Sequence, residues 1–260
     1  MISPENFTKE LNKFGIDFFT GVPDSLLKDF CAYIQDNFNN EQHIISANEG
    51  TAVAIASGYQ MASGKIPLIY LQNSGFGNTI NPLISLTDAR VYSIPLLLLM
   101  GWRGEPGTKD EPQHLKQGEV TIPLLKALNI PFFTLDEDEK NIFKSIHSAL
   151  KTIEEIQTPV VLLAKKGVFS KYEKSINNID PNLDNLMTRE EVISLIISSF
   201  PSNSIFISST GYISRELYEL RELNNQSHAS DFLTVGSMGH SSQIALGISL
   251  AKKEVPVICL

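Results

Sequence analysis

The chain has 260 residues, of which 42% are apolar and 19% charged, with a net charge of −8. That apolar content supports a sizeable core in one large or two ordinary domains and argues against disorder. The acidic balance, with no basic run interleaved with aromatics, argues against a nucleic-acid surface.

In chain order, Ser3-Pro4 is an N-cap and first-turn signal before Phe7, Leu11 and Phe14 at helical spacing. Asp17 to Val22 reads as a strand. Pro23-Asp24-Ser25 then opens a helix carrying Leu26, Leu27, Phe30 and Ile34. A strand at His43 to Ala47 leads into a helix from Glu49 to about Ala62. Its Ala, Ser and Gly residues allow close backbone approach, so tight packing against a partner is expected. Further strands are Pro67 to Gln72, Ile94 to Gly101, Pro131 to Leu135 and Pro159 to Lys165. Several are apolar nearly throughout, as parallel strands covered on both faces are. Strand and helix in alternation predict an open, doubly wound α/β sheet.

Residues 166–187 are rich in Ser, Asn, Asp, Lys and Pro and read as a linker. The pattern restarts with a capping box, Thr188 and Glu191. Strands follow at Ser204 to Ser209 and Asp231 to Val235, with helices near Ser214 to Leu223 and Ser241 to Lys252. Val255 to Leu260 reads as a core strand that ends the chain. A second domain so short, stopping on a buried strand, is expected to be incomplete. Cys31 and Cys259 match no metal or redox spacing and are expected to be buried thiols in a reducing compartment. The N-terminus lacks a signal-peptide pattern, and the run Ile94 to Met100 is too short to span a bilayer. A cytoplasmic protein without membrane contact is therefore expected.

Four segments sit where ligands bind open sheets, beyond the carboxyl ends of strands. Gly21-Val22-Pro23-Asp24-Ser25 would hold Asp24 or Ser25 over the strand ends, or merely cap a helix. Asn48-Glu49-Gly50 puts a carboxylate at a helix N-terminus, either as a favourable dipole contact or as a poorly hydrated functional group. Gln72-Asn73-Ser74-Gly75-Phe76-Gly77-Asn78 begins like a dinucleotide fingerprint but lacks the third glycine, so an anion or substrate loop with Asn73 as donor fits better. The Gly101 to His114 loop offers Arg103, Lys109 and His114 to an anion, or is a solvated surface loop. His43, His147 and His228 have no companion motif and read as structural or surface residues. Asp136 to Glu139 reads as a helix start.

Together with Gly236-Ser237-Met238-Gly239-His240, these segments resemble the thiamine-diphosphate-dependent 2-oxo acid decarboxylases in order and spacing. The resemblance implies two doubly wound parallel-sheet domains of the thiamine-diphosphate-binding type, the second incomplete. Residues 1–165 would be the pyrimidine-binding type and 188–260 the start of the diphosphate-binding type. It implies that Glu49 hydrogen-bonds the aminopyrimidine and that Asn73 also contacts the cofactor. Met238 would wedge the cofactor into its bent form, and the Gly236 carbonyl would accept from the 4′-amino group. Thr210 and Gly211 would lie near the diphosphate. Asp24, Ser25 and His114 would act on the substrate, with Arg103, Lys109 and His114 binding its anionic group.

The implied reaction is decarboxylation of 3-phosphonopyruvate to phosphonoacetaldehyde and CO2. Sulfopyruvate is the alternative substrate, and an inactive fragment or non-catalytic pairing subunit is the alternative of another class. A homo-oligomer with sites at the subunit interface is implied as well. Mg2+ is implied, but its ligands would follow Leu260, so no residue here is expected to bind metal. The 260 residues alone are expected to be inactive.

Overall fold

The computed structural model describes residues 1–173, 186–237 and 239–260. The chain forms two compact units, Met1–Ile176 and Asn177–Leu260. In the first unit α1 (Pro4–Asn12), β1 (Phe19–Gly21), α2 (Lys28–Asn37), β2 (His43–Ile45), α3 (Glu49–Ser63) and β3 (Leu68–Gln72) come first. A single 3-10 turn, Asn73–Gly75, leads into α4 (Phe76–Ser85). Then come β4 (Leu97–Gly101), α5 (Pro112–Ala127), β5 (Phe132–Leu135), α6 (Glu139–Ile156) and β6 (Val160–Ala164).

The six strands pair in the order β2-β1-β3-β4-β6-β5, every pair parallel. From β1 the chain moves outward to β2 and then returns to the other side as β3. The carboxyl edge between β1 and β3 is therefore a switch point, where diverging loops leave a crevice. The core strands are apolar on both faces because helices cover both. Leu97, Leu99 and Leu162 pack with α1, α2 and α6, while Leu98, Met100 and Leu163 pack on the opposite side with α3 and α4. Each such fully buried leucine contributes about 2 kcal/mol.

The second unit holds α7 (Arg189–Ser199), β7 (Ile205–Ser208), α8 (Tyr212–Leu223), β8 (Asp231–Leu233), α9 (Ser241–Ala251) and β9 (Val257–Cys259). Its three strands are parallel in the order β8-β7-β9. The parallel α/β architecture expected from the alternation is thus present in both units. Thr188 and Glu191 form the expected capping box at the start of α7.

Several boundaries differ from the sequence reading. The helix expected to open at Pro23 begins only at Lys28, with Leu27 at its N-cap and no side-chain cap. Asp24 and Ser25 therefore do not cap it. The segment expected to be a linker starts later than residue 166. Val168 and Phe169 are buried in the first unit's core, and Phe169 bridges Ile2 as a short parallel pair. Two apolar side chains inside a polar run were enough to anchor it. Residues 174–185 of that segment lie outside the described residues. Cys31 is half-buried and Cys259 exposed, so the expectation of two buried thiols fails. β9 is only partly covered within its unit, which leaves Cys259 accessible.

Candidate functional site

The site grows from loops at the carboxyl edge of the larger sheet. Asn48 caps α3 by accepting from the Thr51 amide at 2.8 Å, which sets Glu49 as the first helical residue. The half-buried Glu49 carboxylate accepts from Asn78 Nδ2 at 2.8 Å. Its other oxygen lies on the backbone of Gly75, where a Cβ would stand 2.0 Å from Oε1. Gly50 approaches the Asn78 carbonyl so closely that a Cβ there would stand 2.7 Å from it. The small-residue helix thus packs on α4 of the same unit, and the glycines form a cradle sized for the glutamate.

Asn73 was expected to donate to a ligand. Instead its side chain is 2% exposed and committed within the chain. Nδ2 donates to the Arg103 carbonyl at 2.8 Å and to Thr121 Oγ1 at 2.9 Å, while Oδ1 accepts from the Arg103 amide at 3.0 Å. It ties the ends of β3 and β4 to α5. Burial leaves an amide no alternative but to satisfy itself locally.

Arg103 was expected to be free for an anion. Asp110 holds it through Nε at 2.9 Å and through Nη2, so its charge is already balanced. Arg103 Nη1 donates to Ser25 Oγ at 2.7 Å and fixes that hydroxyl. Asp110 also accepts from the amides of Gly104 and Glu111, each at 2.7 Å, and pairs with His114 Nδ1 at 3.0 Å. The Arg103 hydrogen bonds, and behind them these other donors, hold its carboxyl well below the usual carboxylate range despite burial. Asp110 is the hub of the loop, and the sequence reading assigned it no role. Its position seven residues after Arg103 and just before a helix starting at Pro112 was the available signal. Asn78, the last residue of the Gln72 to Asn78 segment, likewise had no expected role.

Two cavities flank Ser25. One cleft is lined by Ser25, Leu26, Trp102, Arg103, Lys109, Asp110 and Lys166 among others. Lys109 is exposed there and makes no ion pair among the described residues. The other cavity lies between α2 and the β1–β2 edge and includes Asp24, Ser25, Lys28, Cys31, His43 and Tyr70. His114 lines neither.

Asp24 is 4% exposed, and neither carboxylate oxygen has a hydrogen-bond partner. It lies over Gly101, where a Cβ would stand 1.8 Å from Oδ2. Burial pushes its carboxyl up to about 6. The nearby Leu26 amide, the Arg103 charge and the Ser25 amide oppose this without completing a bond. Ser25 borders both the cleft that holds Arg103 and Lys109 and the other cavity, whereas Asp24 lines only the latter.

In the second unit, Thr210 is half-buried after β7. Gly211 has φ 92° at the N-cap of α8, a conformation that favours glycine. Gly236 is half-buried beyond β8, and Met238 lies outside the described residues. His43, His147 and His228 pair with Tyr70, Glu10 and Glu222 respectively. Among the described residues no cluster of three His, Cys, Asp or Glu could hold a metal ion, and no helix is long and apolar enough to cross a membrane.

The family model for the thiamine pyrophosphate enzyme N-terminal TPP binding domain matches residues 5–124. Phosphonopyruvate decarboxylase of Streptomyces viridochromogenes is 26% identical over 270 residues, covering 96% of this chain and 64% of that protein. Sulfopyruvate decarboxylase subunit alpha of Methanococcus maripaludis is 32% identical over 163 residues, covering 63% of this chain and 94% of that subunit. The fold resembles that of benzoylformate decarboxylase from Polynucleobacter necessarius, with a TM-score of 0.51 at 16% identity over all of this chain and 43% of that one. The chain spans 64% and 63% of the lengths of the two phosphonopyruvate decarboxylases it matches.

Proposed function

Because the chain belongs to the thiamine-diphosphate-dependent 2-oxo acid decarboxylase family, we propose that, when full length, it decarboxylates 3-phosphonopyruvate to phosphonoacetaldehyde and CO2. The observation that carries this reading is the Glu49 carboxylate, half-buried at a helix start in a glycine cradle that any Cβ at Gly75 would fill. That donor set fits the aminopyrimidine end of thiamine diphosphate. When bound, the cofactor supplies the nucleophilic carbon and the electron sink for the departing carboxylate.

The chain's own residues have distinct parts. Glu49 holds a proton at the aminopyrimidine ring nitrogen, and Asn78 keeps its carboxylate aimed. Thr210 and Gly211 would hold the diphosphate, the Gly236 carbonyl would accept from the amino group, and Met238 would shape the cofactor. The first unit would then be the pyrimidine-binding domain and the second the diphosphate-binding domain; Mg2+ would accompany the diphosphate, and none of the described residues is assigned to it. Ser25, oriented by Arg103, hydrogen-bonds the substrate. The outer donors of Arg103, together with Lys109, meet its phosphonate. His114 acts through Asp110 and holds Arg103 in place. The exposed Ala54, Gly58 and Met61 on α3 support pairing with a second copy.

Sulfopyruvate is the second reading, favoured by the 32% identity to a whole sulfopyruvate decarboxylase alpha subunit. The test is CO2 release with thiamine diphosphate and Mg2+, offering both acids to a chain extended past Leu260, alongside calorimetric binding of the cofactor. A clear preference for the phosphonate supports the proposal, and preference for the sulfonate replaces it. Absence of both turnover and cofactor binding moves the chain to a non-catalytic pairing subunit. Glu49→Gln is expected to lower turnover about 10³-fold, the scale of a lost proton-transfer group.

A further inference from the structure

We propose that the cavity between α2 and the β1–β2 edge is a second binding site, taking a small organic cation, an ammonium or amidinium, on the Asp24 carboxylate. This goes beyond the decarboxylase reading and does not depend on it. The cavity holds about 350 Å³, a volume suited to a small ligand, and Pro23, Cys31, Ile45 and Tyr70 give it largely apolar walls. Only Ser25 lines both this cavity and the cleft of Arg103 and Lys109.

The ligand class follows from what Asp24 lacks. Asp24 lines the cavity, is 4% exposed, and has both carboxylate oxygens buried without a partner. A buried carboxylate in that state is costly, and such groups are ordinarily satisfied. The walls do not do it: Ser25, Lys28 and Gln35 also line the cavity, yet neither oxygen has a partner. The Tyr70 hydroxyl is paired with His43 Nε2 at 2.8 Å. The Cys31 thiol, pushed up to about 12 by burial, stays protonated and is a weak donor. A charged group presenting two N–H donors in a fork matches two carboxylate oxygens, as an amidinium does. An anion would meet the Asp24 charge, and an apolar molecule would leave both oxygens unmet.

The groups facing Asp24 are Arg103 and Asp110 from the loop after β4, Lys28 and Cys31 from α2, His43 from β2 and Tyr70 from β3. Arg103 and Asp110 neutralise each other. His43 is pushed down by burial and adds no positive charge near neutrality. Lys28 is exposed, so a ligand whose far end is neutral or anionic is preferred.

The experiment is calorimetric titration of the 260-residue chain with benzamidine. Binding is expected at pH 8 and about tenfold weaker at pH 5, where a carboxyl titrating near 6 is mostly protonated. Asp24→Asn is expected to weaken it at least about tenfold, the scale of one charged hydrogen bond. Ala32→Phe, which fills the cavity without touching the carboxylate, is expected to abolish it with the circular dichroism spectrum unchanged. No binding at pH 8 overturns the proposal and assigns the cavity to water. Equal affinity in Asp24→Asn overturns it too. If that variant does not fold, unchanged affinity in Ala32→Phe overturns it instead.

Discussion

The loops after β1 and β4 each bring an aspartate to the same sheet edge, and the fold treats the two oppositely. Asp110 takes hydrogen bonds from Arg103, two backbone amides and His114, and its carboxyl is pushed down. Asp24 takes none, and its carboxyl is pushed up to about 6. One is thus a permanently ionised hub and the other a group poised between its charge states. Asp24 is the more deeply buried and has no donor, while the partly buried Asp110 has several, and both differences act in the same direction. A carboxylate with all its oxygens engaged builds a loop. One with free oxygens is available to something outside the chain.

The contrast can be broken at either end. Removing the hub should have the largest effect. Asp110→Ala strands the Arg103 charge in a mostly buried place, and loss of about 3 kcal/mol is expected in urea unfolding. In the native chain the Asp110 contribution is fully present above its unfolded value near 4. It is lost as pH falls through its lower folded value. A variant as stable as the native chain at pH 7 would show the hub to be ornamental.

Asp24 has the reverse sign. Its folded value is raised, so protonation favours the folded state. The favourable contribution is complete below about 4 and lost as pH rises through about 6. Relative to Asp24→Asn, the native chain should lose about 2–3 kcal/mol of stability between pH 4 and pH 8. Parallel stability curves for the two proteins would mean that Asp24 is as well solvated as a surface carboxylate. The smallest effect is expected on the cavity wall. His43→Phe leaves the Tyr70 hydroxyl without its partner, at a cost of about 1 kcal/mol, measurable by thermal unfolding. A null result there would place a water on Tyr70.

Much of the scaffold was legible because it is written in local patterns. Continuous apolar runs such as Leu97 to Met100 announced covered parallel strands, and Thr188 with Glu191 announced a helix start that the structure contains. Glu49 after Asn48 was legible as the first residue of a helix for the same reason. The carboxylate's seat on Gly75 was not, because the two residues meet only when α3 and the turn after β3 are brought together. Asn73 illustrates a contact the sequence does not show. A polar side chain in a glycine loop looks like a ligand donor until Thr121, far along the chain, is seen to accept from it.

By itself, then, the sequence determined the kind of element each segment forms, the parallel α/β class, and the order of motifs that resembles the family. These depend on spacing and on hydrogen bonds a few residues long. Only the tertiary structure decided which carboxylate is neutralised and which is left without donors, that Arg103 is already paired, and that Ser25 borders two cavities where Asp24 borders one. Charge state and accessibility depend on burial and on donors from distant strands. For Asp24 what decides is close packing over Gly101 and the Arg103 charge nearby, neither residue adjacent to it in the chain.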